Sequence, residues 1–93
     1  MVVNSGITYE ATTDTPEAHV SKLVALIENG AGEITIIGRG KNIAGPIAIW
    51  YAFNSIRAKD KNFEYKVWLV SGPSITVDKG ASVMKLVLSA KEK

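Results

Sequence analysis

Cysteine is absent from the 93 residues, which excludes disulfides, thiolate metal sites and thiol nucleophiles together. Histidine occurs once, as His19, so a metal site would rest on carboxylates alone, and their spacing forms no ligand pattern. The serines lack the Gly-x-Ser-x-Gly elbow that exposes a nucleophile. These absences point to a binding protein, not an enzyme, with no metal, no cofactor and no small-molecule substrate expected. Long apolar runs are also missing. The longest uncharged stretch, residues 42–56, is interrupted by Gly45, Pro46 and Asn54 and is too short to cross a bilayer. The opening Met1-Val-Val-Asn-Ser-Gly6 has neither the basic start nor the apolar run of a secretory leader, so a cytoplasmic location without a membrane partner is expected.

What is present is the composition of a globular domain: 46% apolar and 22% charged residues, with a mean hydropathy of +0.10. At this length the chain has room for one core, and a single domain over residues 1–93 is expected. The formal net charge of +2 conceals an uneven distribution. Residues 1–38 hold one base, Lys22, against five acids, a net −4, whereas residues 39–93 hold ten bases against four acids, a net +6. If folding gathers the second half onto one face, that face attracts an anionic partner.

Ile7, Tyr9 and Ala11 alternate with Thr8, Glu10 and Thr12, the two-residue period of a strand over 6–12. Asp14-Thr15-Pro16-Glu17 combines capping residues, a first-turn proline and an acid near the positive end of a helix dipole. Val20, Leu23, Val24 and Ile27 then form one apolar helical stripe, with His19 expected at the surface or boundary, and Asn29-Gly30 stops the helix. Residues 33–38 read as a buried strand. Residues 43–56 read as a second helix, with Asn42 as its cap and Pro46 in its first turn. Its apolar residues lie almost all round: Ile43, Ile47 and Trp50 on one stripe, Ile49, Phe53 and Ile56 on another, and Tyr51 outside both. Strands are expected over 64–71 and 82–90, joined by a mobile ten-residue hairpin loop, Gly72 to Ala81. The order β-α-β-α-β-β gives an α+β two-layer sandwich, a four-stranded mixed sheet with two helices on one face.

The segment with the clearest chemistry is Gly38-Arg39-Gly40-Lys41-Asn42, between a strand and a helix. Its glycines allow close backbone approach, the helix start offers unpaired amides, and Arg39 and Lys41 add two cations, which together suit a phosphate. It is not a nucleotide fingerprint: Ile43 stands where Gly-x-Gly-x-x-Gly needs its third glycine, and Pro46-Ile47 replaces the Lys-Ser/Thr of a P-loop. The same residues equally describe an ordinary glycine turn with two exposed bases.

Ile34-Thr-Ile-Ile-Gly-Arg-Gly-Lys-Asn-Ile-Ala-Gly-Pro-Ile47 resembles the motif of the Alba family, in which an apolar strand runs into Arg-Gly-Arg/Lys-x-Ile and then the second helix. With the element order and the long hairpin, the resemblance spans roughly residues 7–90. It implies a dimeric DNA- or RNA-binding protein of the archaeal chromatin type. Carried over by position, Arg39 and Lys41 take the family's two basic loop positions, with Gly40 and Asn42 beside them, and Ile43 its apolar anchor. Lys79, between Asp78 and Gly80, takes a contact role on the hairpin arm. Two departures weaken the match. Thr13-Asp14-Thr15-Pro16 stands where the family commonly has Gly-Lys-Lys-Pro, and Ala44-Gly45-Pro46 stands where it has polar and basic residues. Fewer cations neutralise fewer phosphates, so weaker binding follows.

The function expected is therefore largely sequence-independent contact with the nucleic-acid backbone by a homodimer, in the cytoplasm or on the nucleoid. The dimer interface is expected on Ile47, Trp50, Tyr51, Phe53 and Ile56. Trp68 offers a stacking surface for an unpaired base, or a core or interface residue. The alternative is a structural or protein-interaction module on the same fold, with weak or no nucleic-acid binding.

Overall fold

A computed structural model describes residues 6–93, apart from the side chain of Ala58; the start of the expected 1–93 domain, read above as lacking a leader, lies outside them. The elements are β1 (Gly6–Glu10), α1 (Pro16–Glu28), β2 (Glu33–Arg39), a 3₁₀ turn (Gly40–Asn42), α2 (Gly45–Phe53), a π turn (Asn54–Ala58), β3 (Tyr65–Asp78) and β4 (Ala81–Glu92). The sheet order is β1-β2-β4-β3: β1 runs parallel to β2, and β4 is antiparallel to both of its neighbours. This is the mixed four-stranded α+β architecture expected from the sequence.

Local chemistry sets the boundaries. At the start of α1 the Thr15 hydroxyl accepts from the Ala18 amide at 3.3 Å, and Pro16 follows at a position whose amide has no helical partner. At its end Gly30, at φ +100°, donates to the Ile27 carbonyl while Ala31 reaches back to Leu26, closing the helix in a Schellman motif. The stripe Val20, Leu23, Val24 and Ile27 is buried as its spacing requires. It packs with Ile49 and Phe53 of α2 against Ile34 and Ile36 of β2 and Leu86 and Leu88 of β4. These strand residues all have one parity, so both helices cover the same face of the sheet.

The second helix is shorter than the expected 43–56, and Asn42 does not cap it. Asn42 belongs to the 3₁₀ turn, closed by the Ile43 amide on the Gly40 carbonyl at 3.1 Å, and Ala44 precedes α2 with no side-chain cap bond. Glycine is required at both ends of this entry. A Cβ on Gly38 would lie 2.6 Å from Pro46 Cδ, and one on Gly45 2.6 Å from Ala11 Cβ. At the far end the Asn54 amide side chain donates to the Trp50 carbonyl at 3.0 Å, and the backbone widens into the π turn where that acceptor is shared.

The expected mobile loop at 72–81 is strand instead. Ile75 pairs with Met84, Thr76 with Val83 and Asp78 with Ala81, and only Lys79 and Gly80 turn the chain. Their φ values of +53° and +80° are those of a type I′ turn, whose twist matches a two-stranded ribbon. Gly72-Pro73, which reads as the start of a loop, is an irregularity in β3, where the register shifts between Ser71 and Ser74. On this edge strand the missing proline donor costs no ladder bond.

Two further expectations are corrected. His19 is not at the surface but 2% exposed, at the junction of α1 and β1. Phe53, expected in the dimer interface, is 1% exposed and meets Phe63 edge to face at a centroid separation of 5.9 Å. It is one of the side chains that fill the core and offers no surface to a partner.

Candidate nucleic-acid interface

One end of the sheet collects the loop and hairpin residues. Strand β2 ends at Arg39, and Gly40, at φ +52°, turns the chain so that Lys41 is exposed and Asn42 half-buried. The hairpin tip comes to the same place: Arg39 stands opposite Val83, Val83 is opposite Thr76, and the ribbon overhangs β2 only from there to Lys79 and Gly80. The structure thus brings Arg39, Gly40, Lys41 and Asn42 to the end of the sheet that also carries Lys79.

Arg39, however, is engaged. Its Nη1 donates to Asp78 Oδ2 at 3.0 Å, and its Nε lies 3.7 Å from Glu10 Oε2. All three side chains are half-exposed, so each contact is a modest one, worth about 0.2–1 kcal/mol. Their combined effect on the local field is larger than their stability: one guanidinium is shared by two carboxylates, and the Arg39 position is locally anionic instead of cationic. A phosphate approaching Arg39 has to displace Asp78. Lys41 and Lys79 have no ion-pair partner among the described residues. Helix α2 adds less than expected to an anion site, because Pro46 removes one donor from its first turn and the 3₁₀ turn uses the Ile43 amide.

The sequence reading did not find the His19 cluster. The Thr12 amide donates to His19 Nε2 at 3.3 Å, and an amide can only donate, so the ring proton sits on Nδ1 and is given to the Tyr9 hydroxyl oxygen. Burial, with a smaller contribution from the Asp14 carboxylate, raises the Tyr9 pKa above its ordinary 10.0. The signal was available: His19 is four residues before Leu23, on the border of the buried stripe. The cluster ties β1 and the residues after it to α1.

The interface expected on α2 is partly exposed. Ile47 is 36%, Tyr51 72% and Ile56 42% exposed, while Trp50 is half-buried and stacked on Phe53 at 6.1 Å. No helix among the described residues is long and apolar enough to cross a membrane.

No protein-family model matches the chain, and no curated protein sequence matches it. Among solved structures it is similar to Alba from Thermoplasma volcanium, with a TM-score of 0.58 and 19% sequence identity over 89% of this chain and 99% of that one. The fold is Alba-like.

Proposed function

We propose that this protein binds nucleic acid through the phosphate backbone, with little dependence on sequence, as a homodimer whose two basic ends follow one duplex. The observation that carries this reading is the convergence of the Arg39-Gly40-Lys41-Asn42 turn and Lys79 on one end of an Alba-like sheet. Lys41 and Lys79 are its available cations, and Arg39 joins them when a phosphate replaces Asp78. The dimer forms on Ile47, Trp50, Tyr51 and Ile56 of α2 and the turn after it. Such a protein works in the cytoplasm, and on the nucleoid if its ligand is DNA. Fluorescence anisotropy with mixed-sequence duplexes over a salt series tests the site. The Lys41→Ala, Lys79→Ala variant should bind all sequences more weakly and flatten the logarithmic salt dependence by about 3.6, since the homodimer loses four lysines and each duplex phosphate contact contributes about 0.9. An unchanged slope would remove these residues from the interface.

A second reading, a protein-interaction module, is favoured by one observation: the two carboxylates on Arg39 cancel a cation that the phosphate reading would use. It predicts no duplex binding by the unaltered chain even at low salt.

A further inference from the structure

The helices leave the other face of the sheet bare. The Cα atoms span 41 × 33 × 19 Å, and the thin direction has room for one sheet and one helix layer at about 10 Å spacing. On the bare face the β3/β4 registers place Lys66 opposite Lys91 and, in the next row on that face, Trp68 opposite Ser89. Lys66, Trp68 and Lys91 line an open recess of about 560 Å³, into which Trp68 offers an indole that is 41% exposed.

Two features of this arrangement cost stability in the chain alone. Like charges directly opposite on neighbouring strands repel, and an exposed tryptophan forgoes the burial that its size rewards. Neither is compensated nearby. The ion pairs among the described residues engage Lys22 and Arg39, and none engages Lys66, Lys85 or Lys91. The acids nearest on this face are Glu33, opposite Ser89, and Glu64, two residues before Lys66, and neither forms an ion pair with Lys66 or Lys91. Lys85 continues the basic line along β4, six residues and about 20 Å from Lys91. An anion bridging Lys66 and Lys91 relieves the repulsion, and a flat apolar group covers the indole. An unpaired nucleotide supplies both.

We propose that this bare face is a second site, selective for single-stranded nucleic acid: an unpaired base stacks on Trp68, its flanking phosphates lie on Lys66 and Lys91, and the strand continues toward Lys85. The proposal rests on the nucleic-acid reading above but on different chemistry, because duplex bases are already stacked and present no face to an indole. Oligo-dT and oligo-rU of about twelve nucleotides serve as probes, with a mixed-sequence duplex as the parallel arm. The strands should quench tryptophan emission saturably in the unaltered chain, and much less in Trp68→Phe, which keeps Trp50. Trp68→Ala should weaken single-strand binding at least fivefold, as loss of one stacked base does, while Trp68→Phe retains most of it. The surface variant Lys66→Glu, Lys91→Glu should weaken it at least tenfold. Duplex affinity should stay within twofold in Trp68→Ala. Emission unmoved by saturating strand, or single-strand affinity unchanged in Trp68→Ala, overturns this site while duplex binding continues to report on the Lys41 end. An equal loss for strand and duplex in Trp68→Ala overturns it as a separate site. A chain that binds neither probe overturns both readings.

Discussion

The Tyr9 phenol hydrogen-bonds a histidine that is 2% exposed, and its proton is held more tightly in the folded chain than in the unfolded one. The unfolded chain therefore releases that proton first as pH rises. Stability from this group is complete below pH 10.0 and is lost as pH climbs through the higher pKa of the folded state. Urea unfolding between pH 9 and about 11.5 should show a steeper loss in the unaltered chain than in Tyr9→Phe. At neutral pH the variant should already be about 1–3 kcal/mol less stable, because His19 Nδ1 is left without its partner in a buried site. Parallel pH profiles would dissociate Tyr9 from the alkaline transition.

Between β2 and the β3/β4 turn, the Arg39–Asp78 contact makes the basic loop and the hairpin tip one electrostatic unit. Replacing Asp78 with asparagine keeps the shape and removes the competitor. Duplex affinity should rise by about 1.5- to 5-fold for each of the two Arg39 side chains released in the dimer, the equivalent of one exposed ion pair per subunit, with a steeper salt dependence and a stability change under about 1 kcal/mol per chain. Unaltered or weaker binding in a folded Asp78→Asn protein would show that Arg39 does not meet the ligand. This pair was not legible in the sequence, because no motif spacing links positions 39 and 78. What was legible came from periodicity: the parity of Ile34 and Ile36, the α1 stripe, and the convergence of glycines and bases at 38–41. The hairpin was misread because Gly72-Pro73 punctuates a loop as readily as a bulge. The alternation Ser74, Ile75, Thr76, Val77 ahead of Lys79-Gly80 carried the strand signal. Phe53 shows the limit of composition for α2: the excess of apolar residues was visible, but which of them faced inward depended on the angle at which Gly45 and Pro46 deliver the helix.

On the scale of the molecule, α2 and the turn after it leave Ile47, Tyr51 and Ile56 exposed on a chain that is thin in one direction. Covering several hundred Å² of apolar surface on each of two subunits offers on the order of 10 kcal/mol before association entropy is subtracted, enough for a stable pair. Light scattering at micromolar concentration should give twice the 10.0 kDa chain mass, and Tyr51→Glu should halve it without loss of helix signal. A monomeric unaltered chain would leave each basic end to act alone. The sheet order bears on how such a subunit comes into being. β4, last of the four strands in chain order, occupies an inner place and pairs on both sides. While a ribosome is still making residues before Ala81, β1 and β2 are at most a parallel pair, β3 has nothing to pair with, and two-stranded assemblies are marginal. Ile34 and Ile36 wait for Leu86 and Leu88. The nascent chain thus carries an unfinished sheet until its centre is delivered, and the sheet closes late, in one non-local step.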